Sequence, residues 1–233
     1  MKLIPAIDLI GGENVRLTQG DYDTKEKMKR TPQEAVQFYS QFEQVGRIHV
    51  VDLMGALNQE ATEMSIIQEL KSLTELPFQI GGGLRTTETI DQYDQLGIDY
   101  FILGTRAILD IDWLKEVVSL YPGRIIVGID AKGLDIYVNG WTEKADKTIP
   151  DYLLEIEDLN LKGIVYTDID KDGMNEGPNF EQTEWLSKQT KHPVIASGGI
   201  RGLSDLKELA KRGIQESIVG KATHQDEFWE GIK

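Results

Sequence analysis

Two aspartates are placed to move protons. Asp8 ends the apolar run "KLIPAID" and Asp130 ends "RIIVGID". An Asp at the end of a strand is also a common helix N-cap, so neither residue alone is diagnostic. As a pair they say more, because they close equivalent runs in two halves of the chain. Two carboxylates across one mouth can act as base and acid when their surroundings push their pKa values apart. The second chemical signal is glycine. "IGGGLRT" at 80–86 returns as "ASGGIRG" at 196–202, an offset of 116. At that offset Gly82, Gly83, Arg85, Gly97, Ile98, Ile102 and Gly104 all meet an identical residue. Glycines after a strand let backbone N–H groups come close to an anion at the start of the next helix. One such pair is as easily a tight turn. Two pairs, each followed 21 residues later by a further glycine (Gly83 to Gly104, Gly199 to Gly220), point to a ligand with two phosphates. Gly82, Gly83, Gly104 and Thr105 would hold one, and Gly198, Gly199, Gly220 and Lys221 the other.

The elements that must present these residues follow from hydrophobic patterning. Strand-like runs, apolar at nearly every position, lie at 2–8, 47–53, 78–82, 100–105, 124–130, 163–169, 193–199 and 216–220. Parallel strands covered on both faces have this pattern. Amphipathic stretches alternate with them, among them 32–45, 63–73, 111–120, 149–159 and 203–211. Eight strands in 233 residues give roughly 29 residues per βα unit, as such units require. The pattern predicts a (β/α)8 TIM barrel with a two-fold half-barrel repeat, in one domain over 1–233, rather than a doubly wound open sheet. Asp8 and Asp130 are 122 apart rather than 116, which a few residues of slippage in the first loop would explain. In such a barrel the site lies at the C-terminal ends of the strands, where these aspartates and glycines fall.

Composition narrows the classes further. The chain has no cysteine, which removes disulfides and thiolate zinc sites. A net charge of −14 argues against nucleic acid as a partner. No run approaches the roughly 20 apolar residues that a membrane span needs, and the N-terminus lacks a signal-peptide pattern. A cytoplasmic monomer acting on a small molecule is the expectation.

Several segments together resemble one family. They are "IPAIDLIGGENVRLTQGD" (4–21), "HVVDL" (49–53), "IGGGLRT", "GW" at 140–141, "YTDIDKDGMNEGPN" (166–179), "ASGGI" and "VGKA" (219–222). In combination they are similar to the ProFAR isomerases of histidine biosynthesis, along nearly the whole chain. The resemblance implies an Amadori rearrangement of an aminoaldose to an aminoketose, on a substrate with a phosphate at each end. It implies no metal and no redox cofactor. It makes Asp8 the general base and Asp130 the general acid. It also suggests that Thr167 hydrogen-bonds near the reacting sugar, although a buried β-branched strand residue is the simpler alternative. Trp141 is a candidate to stack on the imidazole carboxamide, or else a side chain that fixes its own loop. Arg16 and Arg85 are candidate phosphate contacts; Asp168 and Asp170 read as loop caps, and His49 as a core histidine. Met54 and the stretch "GKATHQDEF" depart from the family pattern, which bears on loop detail. The nearest rival is the cyclase of imidazole glycerol phosphate synthesis, which shares the barrel and the paired aspartates but not "AIDLIGG" or "VNGWTE". A relative that also serves tryptophan synthesis, and a non-catalytic sugar-phosphate-binding barrel, are the other readings.

Overall fold

The computed structural model describes residues 1–174 and 176–232; Asn175 of the "YTDIDKDGMNEGPN" stretch and the terminal Lys233 lie outside them. The described strands in the first half are β1 (Lys2–Ile10), β2 (Glu13–Thr18), β3 (Asp21–Lys27), β4 (Ile48–Asp52), β5 (Phe78–Gly81) and β6 (Tyr100–Leu103). The second half adds β7 (Ile125–Lys132), β8 (Asp135–Val138), β9 (Glu143–Thr148), β10 (Gly163–Asp168), β11 (Val194–Ser197) and β12 (Glu216–Val219). Eight of these, β1, β4, β5, β6, β7, β10, β11 and β12, pair side by side in parallel. The β7–β10 pairing closes the ring, so the fold is a (β/α)8 barrel. Each matches one of the runs read from the sequence to within a few residues. Closure leaves no edge among these strands, and their apolar side chains divide between an inner and an outer core.

Ile4, Ala6, Ile126, Val165, Ile195 and Ile218 fill the inner core. The outer core lies between strands and helices, with Tyr39, Phe78, Tyr93, Phe101, Tyr152 and Trp229 among its largest members. The helices at Ile111–Leu120 and Leu203–Lys211 have the bounds expected from their periodicity. That at Pro32–Tyr39 ends short of Val45. No helix among the described residues is long and apolar enough to cross a membrane.

The patterning did not give the remaining four strands. After β1 the chain turns back as β2, antiparallel to β1, and β3 extends the ribbon. After β7 the same happens with β8 and β9. Asp8 pairs with Val15 and Asp130 with Tyr137, so both partners keep the offset of 122. The excursions that carry this offset are therefore built ribbons, not slack loops. Each leads into a helix through a capping box, Thr31 with Glu34 and Thr148 with Asp151, with proline in the first turn. Reciprocal caps of this kind satisfy N–H groups that would otherwise be orphaned.

Candidate active site

All fourteen candidate residues line one cavity of about 360 Å³ at the C-terminal ends of the strands. Strand order sets the geometry. β5 and β6 lie across the ring from β11 and β12, and β1 lies across from β7. The two glycine clusters therefore face each other, as do the two aspartate strands.

The glycine clusters are built alike. Gly82 and Gly83 have φ of +96° and +72°, and Gly198 and Gly199 have +87° and +76°. A side chain at Gly83 would meet the Glu60 carbonyl oxygen at 2.7 Å, and one at Gly199 the Gly177 carbonyl oxygen at 2.6 Å. Left-handed backbone and close approach both require glycine here. Gly104 and Gly220 then begin the helical turns Thr105–Leu109 and Lys221–His224 with near-identical dihedrals. The cations differ between the clusters. Arg85 and Arg106 line the cavity on the β5–β6 side, and Arg106 donates to the backbone oxygen of Arg85. Burial and the neighbouring Arg106 lower the pKa of Arg85. On the β11–β12 side stand Lys221 and Arg16, whose guanidinium lies against Gly220.

Asp8 and Asp130 have different partners. Arg16 forms an ion pair with Asp8 and donates to the Ala6 carbonyl at 2.7 Å. Among the described residues Asp130 accepts from one neutral donor, Trp141 Nε1 at 2.9 Å, and Thr167 stands beside it at the paired position on β10. Burial raises the pKa of both carboxyls; Arg16 opposes the rise at Asp8, and Trp141 and Thr167 oppose it at Asp130. Thr167 is thus a polar neighbour of Asp130, while Arg16 is engaged with a carboxylate as well as lying beside a glycine cluster.

Trp141 has φ +69°, costly for a bulky side chain, and its ring lies 3.0 Å from where a side chain on Gly20 would be. Gly20 sits in the β2–β3 turn, so Trp141 joins the two ribbons over the cavity. The strain is held by this packing and by the bond to Asp130.

The structure adds residues that sequence reading passed over. Asp172, in the loop after β10, lines the cavity. Its pKa is pushed up to about 6 by burial and by the charges of Asp8 and Asp130, against the opposing pull of Arg16. Arg106 is the second. His49, expected in the core, also faces the cavity. Asp168 does act as a structural acceptor, receiving the Asp170 N–H at 3.0 Å and Asn179 Nδ2 at 2.7 Å. The ring nitrogens of His224 are buried without a hydrogen-bond partner among the described residues.

Compared with known families, residues 2–229 match the one described as "Histidine biosynthesis protein".

Proposed function

The chain belongs to the histidine biosynthesis protein family, and from that premise we propose that it is an isomerase performing the Amadori rearrangement of ProFAR to its phosphoribulosyl isomer. The observation that carries this reading is the unequal surroundings of two facing carboxylates between two glycine clusters. Asp8, held by a guanidinium, is the group better kept ionised and serves as base. Asp130, buried with a neutral donor alone, holds a proton more readily and serves as acid.

The clusters take the two phosphates and place the reacting ribose over the barrel axis. Asp130 gives a proton to the ring oxygen as the C1′–O bond breaks, and the amine lone pair forms the protonated Schiff base. Asp8 takes the C2′ proton, and the electron pair flows toward nitrogen to give the enolamine. Proton return at C1′ and loss of the enol proton leave the ketose. Oriented acid and base groups typically contribute 10²–10⁴-fold each. Trp141 flanks Asp130 and stacks on the imidazole carboxamide, and Thr167 orients the acid. Every group used comes from one chain, so a monomer suffices.

The test is to give purified protein the aminoaldose bisphosphate and follow the absorbance change without any partner. Conversion to the ketose supports the isomerase. If the protein instead consumes only the ketose, with ammonia, it is the cyclase. Binding without turnover of either would leave a sugar-phosphate-binding barrel.

A further inference from the structure

One side of the barrel interior is polar from its closed end to the cavity floor. Buried Arg47 immediately precedes β4 and donates to both oxygens of Glu216, at 2.6 and 2.8 Å. Its Nε donates to Gln79 Oε1. The Gln79 amide nitrogen then meets His49 Nδ1 at 3.2 Å. His49 lines the cavity above. Around this column the interior is Ile4, Ala6, Ile126, Val165, Ile195 and Ile218. Even a well-paired buried charge in such surroundings is seldom more stabilising than packed apolar side chains, so the column calls for an explanation beyond packing.

The chemistry of each link leaves one arrangement. Arginine only donates, so Gln79 must turn its carbonyl oxygen to Arg47. That leaves its NH2 group, which also only donates, facing His49. His49 Nδ1 must therefore carry the lone pair, and the ring proton sits on Nε2. The ring is partly exposed, and its exposed edge opens into the cavity. Burial, with Arg16 and Arg47 nearby, pulls the pKa of His49 down to about 3. It is therefore no proton shuttle near neutral pH.

We propose that His49 is a fixed neutral hydrogen-bond donor, its Nε2–H directed at an oxygen of the reacting sugar, with Gln79 and Arg47 as the residues that set its tautomer. This rests on the isomerase reading for the identity of the sugar. As C2′ loses its proton, its hydroxyl oxygen becomes the enol and then the ketone oxygen. A donor fixed in advance stabilises that change without reorganising. A neutral imidazole suits the task, since it cannot compete with Asp130 as acid.

Nitrogen-15 NMR of the free protein reads the tautomer directly. The chain has three histidines, and the His49→Gln variant identifies the signal. The expected spectrum has His49 Nδ1 unprotonated and Nε2 protonated, unchanged from about pH 5 to 8. In Gln79→Glu a carboxylate accepts from Arg47 and also from His49, which moves the proton to Nδ1 at about pH 8. That variant and His49→Leu should each lower kcat by about 10²-fold, with KM and inorganic phosphate binding little changed. His49→Gln, which keeps an N–H at a similar reach, should recover most of the loss. A proton on Nδ1 in the wild type, or full turnover by His49→Leu, overturns the proposal. Absence of turnover in the wild type is a different failure. It overturns the isomerase reading and the sugar-oxygen partner, while the nitrogen shifts still decide the tautomer.

Discussion

Asp8, Asp130 and Asp172 are the same side chain in three settings, and partners alone separate them. An ion pair holds the first, a neutral donor the second, and the third lies among the charges of the other two. Asp8→Asn and Asp130→Asn should each lower turnover by about 10² or more, with bisphosphate binding much less affected, as steady-state kinetics and calorimetry would show. Near-wild-type turnover by either would remove its role. Asp172 allows a prediction on stability. Its folded pKa of about 6 lies above the ordinary 3.8, so the native state binds the proton more tightly than the unfolded chain. Its contribution to stability is therefore full below about pH 4 and is lost as pH rises toward 6. Asp172→Asn should gain on the wild type across that window, by up to about 3 kcal/mol. Thermal melts at pH 4 and 7 would measure it; an equal difference at both refutes the shifted carboxyl. Asp8 and Asp130 were legible because each closes an apolar run and the repeat pairs them. Asp172 was not, since a loop residue reveals its charged neighbours only when the chain is folded. That His49 also faces the cavity was not legible, because a histidine inside a strand pattern does not show which face of the barrel it takes.

The ribbons were illegible for a different reason. β3, "DYDTKEK", is mostly exposed and β9, "EKADKT", half exposed, and neither has an apolar face to alternate. Pairing with a neighbouring strand makes them strands, not composition. The core strands showed because burial on both faces demands unbroken apolar runs. Trp141 is where the ribbons reach the chemistry, and two substitutions separate its functions. Trp141→Phe keeps a ring but loses the N–H donated to Asp130. That donor stabilises the ionised carboxylate, so its loss raises the pKa of Asp130. The acid then keeps its proton to higher pH, and the alkaline limb of the kcat profile should move up. A limb that stays put, or moves down, separates Asp130 from the acid role or Trp141 from Asp130. Trp141→Ala should instead weaken bisphosphate binding by roughly 1–3 kcal/mol, leaving inorganic phosphate unaffected. Equal losses for both ligands would mean that the ribbons had come apart.

For the molecule as a whole, a net charge of −14 gives no general attraction for a dianion. Binding two phosphates then depends on local donors, and the two halves of the repeat supply them unequally. Arg85 and Arg201 are equivalent by the repeat, yet only Arg85 lines the cavity. Arg201 is held by Asp205 through two side-chain bonds, at 2.6 and 3.0 Å, and Thr89 stands at the position equivalent to Asp205. The repeat has the arginine in both halves, and one carboxylate holds the second copy out of the cavity. Among the described residues neither Arg85 nor Lys221 forms a salt bridge, so each is available to a ligand. Crystals soaked in phosphate should show two ions across the ring, one by Gly82, Gly83, Gly104 and Thr105, the other by Gly198, Gly199, Gly220 and Lys221. Arg85→Ala should weaken only the first and Lys221→Ala only the second, while Arg201→Ala leaves both and lowers stability alone. These side chains are better probes than the paired glycines, because a side chain at Gly83 or Gly199 would strike backbone and distort the loop itself. Phosphorus NMR titration would give the two affinities separately. A single ion, two ions on the same side of the aspartates, or equal weakening of both by Arg85→Ala would each defeat the reading of two opposed handles.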